Sequence, residues 1–360
     1  MVRRGWLVAA LVLAVVAGVA GGASAELVFP TDPQSTAIEP GGFYFGVAAQ
    51  GLIVSLPRFD WIEKGQDEDG PYKFSLARHP QVIGGGPIGT VGYALPAGAV
   101  PGWIGARPRV EASVNYFRGE GHNKENTKIN FMHIASVDGQ SGYANDDHLD
   151  TRTDLKTTME STHGAVPFRT DHDLSPNLTL SPLIGLIGGY TLTTFRAHTR
   201  FTDILEARED VVGTLKEQIK MSRVGAQIGA DVRWRINNML AVHTGVVGMV
   251  FHQRSEFAAR DCLSEESPQN TVEQCDGAGF ATTAHATDTR VAGRAVANAG
   301  ISYSMGWGEL SLTTIGAYDT HAPGVRNPTL EGDTGSRSAT LRFTGEWSAG
   351  GMVLLRIPLN

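Results

Sequence analysis

Two short runs set an imidazole beside carboxylates: "NDDH" at 145–148 brings His148 after Asp146 and Asp147, and "TDHD" at 170–173 sets His172 between Asp171 and Asp173. An Asp–His pair is the smallest unit able to activate a water or hydroxyl as general base. A third run, "RVGAQIGADVRWRI" at 223–236, places Arg223, Asp231, Arg233 and Arg235 on odd positions. It leaves Val224, Ala226, Ile228, Ala230, Val232, Trp234 and Ile236 on even ones. Cys262 and Cys275 are the only cysteines, both inside "RDCLSEESPQNTVEQCDG".

Each candidate depends on the element that carries it. Strict alternation is the period of a β-strand, whose successive side chains point to opposite faces. On a strand, neighbours in sequence face apart, so His172 and its flanking aspartates do not form a catalytic pair. The sequence contains no nucleophile elbow, no HExxH, no phosphate-binding loop and no zinc spacing, and no enzyme activity is expected. The acidic run "GQDEDG" at 65–70, together with Asp146 and Asp147, is read as solvated loop. No metal and no cofactor is expected.

The same alternation recurs in "RPRVEASVNYFRG", "TRVAGRAVANAGISYSM" and "SATLRFTGEW". Their apolar faces are built from Ala, Val and Gly, lighter than an ordinary soluble core. Aromatics close those faces near segment ends at Tyr116, Trp234, Tyr303 and Trp347, as an interfacial girdle would. The opposite faces gather Arg109, Glu111, Arg196, Arg200, Arg223, Asp231, Arg233, Arg235, Arg290, Arg294, Arg342 and Glu346. Nine arginines against three carboxylates would favour anions if water filled the space between them. The alternative is a lumen filled by salt bridges.

The N-terminus "MVRRGWLVAALVLAVVAGVAGGASA" has a basic start, an apolar run and an Ala-Ser-Ala ending, the layout of a secretory signal peptide cut after Ala25. Residues 1–25 are therefore the signal and 26–360 the mature protein. The mature 335 residues carry 28 basic and 37 acidic side chains, a net charge of −9. That balance argues against nucleic-acid binding. No later stretch is apolar for long enough to be a spanning helix, so any membrane crossing has to be a closed sheet.

Long polar insertions at 58–82, 119–150, 203–214, 256–281 and 320–335 alternate with short turns near 95–102, 174–177, 237–238 and 306–308. This predicts an all-β, transmembrane, antiparallel up-and-down barrel of ten strands, with short periplasmic turns and long extracellular loops. The strands are expected at 42–57, 83–95, 104–118, 151–173, 178–202, 215–236, 239–255, 282–305, 309–319 and 336–347. Within 119–173, "TKINFMHIASVDG" is either a hairpin above the barrel or a further pair of strands, which would make twelve. The tail "MVLLRIPLN" is left without an element. An even cysteine count in an exported chain favours a Cys262–Cys275 disulfide stapling an external loop, worth about 3 kcal/mol in the chain-entropy model.

On the signal peptide, the alternating strands and the loop pattern, the chain resembles Gram-negative outer-membrane β-barrel proteins of the porin-like or major-outer-membrane-protein-like kind. The resemblance implies residence in the outer membrane, with lipid and lipopolysaccharide as neighbours and small solutes as cargo. It departs in its ending: "LRFTGEW" has the look of a terminal assembly strand, yet the chain runs on to Pro358, Leu359 and Asn360. Three functions follow from this reading. They are a passive diffusion channel for small polar or anionic solutes through an Arg-lined lumen, a closed structural or adhesion barrel acting through its extracellular loops, and an outer-membrane hydrolase.

Overall fold

A computed structural model describes residues 41–59, 66–67, 70–71, 79–96, 98–129, 132–135, 137, 142–145, 149–203, 209–264, 280–327 and 338–359. The signal peptide, Asp146, Asp147, His148 and Cys275 lie outside the described residues, and so does the proposed disulfide. The strands in chain order are β1 (Phe43–Ser55), β2 (Gln66–Asp67), β3 (Gly70–Pro71), β4 (Gln81–Ala94), β5 (Ala106–Ile129), β6 (Met132–Ala135) and β7 (Gly142–Asn145). They continue with β8 (Leu149–Ser175), β9 (Leu178–Asp203), β10 (Glu209–Arg235), β11 (Leu240–Ser264), β12 (Phe280–Met305), β13 (Gly308–Arg326) and β14 (Thr340–Leu359).

Ten of these strands close into one antiparallel barrel in the order β1-β14-β13-β12-β11-β10-β9-β8-β5-β4. The ten-strand expectation holds, and the twelve-strand alternative is not realised. Among the described residues β6 pairs with β7 as a separate small hairpin, and β2 with β3.

The tail is the main correction to the strand map. β14 begins at Thr340 and runs to Leu359, so the unassigned "MVLLRIPL" is half of the closing strand. Phe43 pairs with Leu359 and Val54 with Ser348, and this seam seals the barrel. Several expected loops are also strand. β5 continues to Ile129, β10 starts at Glu209, β11 reaches Ser264 and β13 reaches Arg326. Apart from the irregularities at Asp210 and at Thr320–His321, residues in those stretches still have cross-strand partners, so pairing persists where the apolar pattern stops.

The turn end is tied by local chemistry. Asn237 Oδ1 accepts from the backbone amides of Met239 and Leu240, both at 2.8 Å, an Asx-type closure of the β10–β11 hairpin. At the register shift between Ala106 and Arg109, Arg107 takes φ 52°, a left-handed conformation that costs a non-glycine residue energy. Its guanidinium is held there by Asp173 at 2.7 Å and Asp171 at 3.4 Å.

The barrel is unequal in height. β5 and β8 to β12 run 24 to 27 residues, whereas β1, β4, β13 and β14 run 13, 14, 19 and 20. A strand needs only about 9–11 residues to cross a bilayer, so the tall wall extends well past one.

Along that wall the two faces exchange character. In the lower part Val224 and Ile228 are 62% and 67% exposed on the outside, while Arg223 and Arg233 are 5% and 7% exposed inside. Higher up, Phe195, Ala197, Leu215, Ile219 and Phe257 turn inward into a dry cluster with Leu56, Phe59, Val137 and Val325. The outward positions there mix charged residues such as Arg196, Lys216, Lys220 and Glu256 with polar Thr194 and Gln218. The change of face polarity marks the level where the outside medium changes from apolar to aqueous.

Aromatic side chains bracket the apolar belt. Trp103, Trp234, Tyr303 and Trp307 are exposed towards the turn end, and Tyr116, Tyr318 and Trp347 towards the loop end. Trp234 stands twelve residue steps along β10 from Ser222, the residue in register with Tyr190, about 30 Å of height at a barrel's usual tilt. That is the belt of a barrel that crosses a membrane.

Candidate functional site: the charge-paired lumen

Inward positions of the lower barrel carry most of the buried charge. Nearest the turn end, Arg233 on β10 reaches across to Glu309 on β13 at 3.2 Å. His243 and Thr313 share a hydrogen bond at 3.1 Å in the same region. The Arg356 guanidinium lies 5.2 Å from the centre of the Tyr44 ring, within range of a cation–π contact.

Above this lies a network built from β1, β5, β8 and β10. The Tyr44 hydroxyl donates to Glu111, which also pairs with Arg169 at 3.1 Å. Arg169 in turn pairs with Asp231, and Arg109 with Asp171 at 3.0 Å. Ser181 donates to the other oxygen of Asp171 at 2.8 Å. Small residues make room for these groups. A Cβ on Gly92 would sit 2.1 Å from the Tyr44 ring, and one on Gly245 would sit 1.9 Å from Asp231 Oδ1.

An apolar layer follows, formed by Ala48, Ile88, Leu183, Ile187, Val247, Met249, Val296 and Ile315. Over it Arg223 on β10 pairs with Asp319 on β13 and donates to Gln253 at 2.8 Å. Ser55 donates to Glu346 at 2.8 Å. Arg223, Arg294, His163, Asp319 and Glu346 line a small cavity together with Val54, Leu56, Met159 and Ile219. The apolar cluster lies above that cavity. At the rim Asp261 accepts from the amide of Val137 at 2.8 Å, and Asn327 donates to Glu217 at 2.8 Å.

These positions can be set against the sequence expectations. Arg109, Glu111, Arg223, Asp231, Arg233, Arg294 and Glu346 are inside the barrel and buried. Arg235, Arg290 and Arg342 keep inward register but are only half-buried; Arg290 stacks on Phe343 at 3.2 Å and pairs with Asp288 at 2.7 Å. Arg196 and Arg200 are a correction: both are exposed on the outer face. On β9 the outward residues are even-numbered from Ile184 and Leu186 upward, and this parity carries both arginines out where the apolar belt has ended.

Sequence reasoning also missed lumen residues: Arg169, Asp171, Glu309, Asp319 and Arg356 are all buried inside. With them the cationic excess disappears. Arg109, Arg169, Arg223, Arg233, Arg294 and Arg356 are the buried arginines among the described residues. Against them stand Glu111, Asp171, Glu217, Asp231, Asp261, Glu309, Asp319 and Glu346. The expected cationic lining is therefore a balanced, internally paired filling.

The aspartates beside His172 are engaged elsewhere. Asp171 faces inward to Arg109, and Asp173 accepts from Arg107 and from Thr179 at 2.8 Å. His172 has the opposite parity and stands near Gly105 at the turn end. Cys262 is buried near the upper end of β11. No group of three potential metal ligands occurs among the described residues.

The outer face of the tall wall has its own charge pattern. Outward on β5 and β8 to β11, above the belt, are Arg118, Lys124, Arg152, Lys156, Arg196, Arg200, Lys216, Lys220, Arg254 and Arg260. The carboxylates among them are Glu120, Asp154, Glu160 and Glu256. Among the described residues this face carries +6, on a chain whose overall charge is −7.

No protein-family model and no curated protein matches the chain. Among solved structures it is similar to the outer-membrane protease OmpT of Escherichia coli, at 11% identity, over 91% of this chain and 99% of that one, with a TM-score of 0.35. It is also similar to the CymD monoaromatic hydrocarbon channel, at 8% identity over 89% and 90% of the two chains, with a TM-score of 0.34. A FadL homologue of Pseudomonas aeruginosa shares 10% identity over 91% and 94%, with a TM-score of 0.25. Likeness at this level assigns no activity; the barrel assignment rests on the strand registers.

Proposed function

We propose that the chain is an outer-membrane β-barrel whose lumen is closed at rest and which works as a rigid surface scaffold, presenting the rim of its tall wall and the loops above it. Support comes first from the inversion of the two faces. The belt between the aromatic girdles has the height and composition that lipid requires, and the faces above it suit water.

The observation that carries closure is the pairing of buried charges across the lumen. Arg223–Asp319 and Arg233–Glu309 both join β10 to β13, and each of these four groups is at most 7% exposed. An open aqueous pore leaves such side chains solvated, whereas here they are held by one another with an apolar layer between them. The six buried arginines are outnumbered by carboxylates, which removes the field that would draw anions in.

The diffusion-channel reading is second, and the cavity beneath the dry cluster is what favours it. A channel would need that cluster to move aside and at least one of the ion-pair layers to part. Planar-bilayer recording separates the two readings. The scaffold account expects the wild-type protein to insert without conductance steps, and regular steps in the wild type overturn it.

A further inference from the structure

On the outer face of the tall wall, Lys156 on β8 is in direct register with Arg196 on β9. Arg196 is in register with Lys216 on β10, and Lys216 with Arg260 on β11. Four cations thus stand side by side on four adjacent strands. His122 on β5 adjoins Lys156 in the same row. Two positions higher on the same face, Arg152 and Arg200 repeat the arrangement.

Like charges directly opposite on neighbouring strands destabilise a sheet. Below this row the wall avoids the problem by alternating signs, since Arg118 pairs with Glu160 at 3.6 Å and Arg254 with Glu256 at 2.8 Å. Within the row Glu120 meets Lys156 at 3.4 Å. Arg196 and Arg260 are exposed and form no ion pair among the described residues. Lys216 has an interaction of its own, so Arg196 and Arg260 are the members of the row whose charge is consistent with a partner that supplies negative groups.

Spacing and height say what the partner is. Strands about 4.8 Å apart bring neighbouring cationic heads within reach of one tetrahedral anion, and the row is about 14 Å wide, room for several such groups joined together. Arg196 lies six residues above Tyr190 on β9, about 15 Å above the edge of the lipid belt at the usual tilt. The charge is one-sided: the matching outward positions of β12 are Thr283, His285, Thr287 and Thr289. Exposed cations hold single anions weakly at physiological salt, so a multivalent partner fixed at the membrane surface is required.

Resting on the outer-membrane reading above, we infer that Lys156, Arg196, Lys216 and Arg260 form a docking row for the phosphate groups of lipopolysaccharide in the surrounding leaflet. The row grips the phosphorylated sugars from one side of the barrel and gives the tall wall a fixed relation to the membrane surface.

The test uses full-length mature protein refolded without lipopolysaccharide, and first checks its insertion into phosphatidylcholine vesicles by heat-modifiable gel mobility. Binding and thermal unfolding are then measured with rough lipopolysaccharide, with the same material after enzymatic removal of its phosphates, and with inorganic phosphate. The wild type is expected to bind intact lipopolysaccharide and to unfold at a higher temperature in its presence. The dephosphorylated form and inorganic phosphate are expected to do neither. The combined Lys156→Gln, Arg196→Gln, Lys216→Gln, Arg260→Gln variant should bind about tenfold or more weakly, and without lipopolysaccharide should be at least as stable as the wild type. Should that variant fail to fold, the single Arg196→Gln change must still weaken binding, and Arg196→Lys must retain it. Equal binding of the dephosphorylated form, an equal effect of inorganic phosphate, or undiminished binding by Arg196→Gln overturns the docking row. Failure of the wild type to insert into phosphatidylcholine overturns the membrane reading instead.

Discussion

Replacing Arg169 with alanine removes the hub of the lower lumen network. The side chain is 1% exposed and bridges Glu111 at 3.1 Å and Asp231, two carboxylates brought in by β5 and β10. Losing the shared cation leaves Asp231 buried without its paired guanidinium and leaves Glu111 with only the longer contact to Arg109 at 3.7 Å, a side chain it shares with Asp171 at 3.0 Å. Breaking a buried pair from one side costs about 3–5 kcal/mol, a fall of about 10²- to 10⁴-fold in the folded-to-unfolded ratio. Arg196→Ala on the outer face should cost about 0.5 kcal/mol or less, as solvated substitutions do. Combining Arg169→Met with Asp231→Ala and Glu111→Gln should regain much of the loss, since no anion is then left unpaired there. Guanidinium unfolding in lipid vesicles, followed by tryptophan fluorescence and gel mobility, measures all three. A cost for Arg169→Ala no larger than that for Arg196→Ala would refute the assignment of the two faces.

Opening the lumen should need both barriers removed: an Arg223→Ala, Asp319→Ala variant that also carries Phe195→Ala and Leu215→Ala in the apolar cluster is expected to show ion conductance in planar bilayers where the wild type shows none. Gly92→Ala should displace the Tyr44 ring and cost about 1–3 kcal/mol by overpacking, whereas Gly89→Ala, where a Cβ meets nothing within 4 Å, should be nearly neutral in the same unfolding assay. Ending the chain at Trp347 removes the residues that pair with β1, from Ser348 to Leu359. That truncation should abolish heat-modifiable mobility and leave the protein sensitive to protease. Trp234→Ala together with Trp307→Ala should weaken partitioning into vesicles by a few-fold without altering secondary structure by circular dichroism, because both rings sit at the turn-end girdle.

Most of the architecture is written as period-two alternation. The run from Arg223 to Ile236 shows its two faces by residue type alone, and the short turns around Asn177, Asn237 and Gly306 give the hairpin count. What misled was reading the face from chemistry instead of carrying parity along the strand. Arg196 and Arg200 look like lumen arginines beside Thr193 and Thr199, yet parity from Ile184 and Leu186 already places them outside. Face and polarity change partners once the strand leaves the apolar belt, and no local pattern announces that level. Arg169 was overlooked because its run, "GAVPFRT", lacks a regular alternation, and Arg356 because the closing strand carries apolar residues on both faces in "MVLLRI". Which arginine pairs with which carboxylate is beyond sequence, since Arg223 and Asp319 stand 96 residues apart and meet only when the barrel closes.

Single spin labels on one outward face give the most direct test of the account. In a background with Cys262 and Cys275 replaced by serine, labels are placed at Ile228→Cys and Arg196→Cys in vesicle-reconstituted protein. Ile228 should be accessible to oxygen dissolved in lipid and shielded from a water-soluble nickel chelate, and Arg196 should show the reverse. A label at Ile228 that collides freely with the nickel chelate would contradict the membrane-facing belt on which the whole account stands.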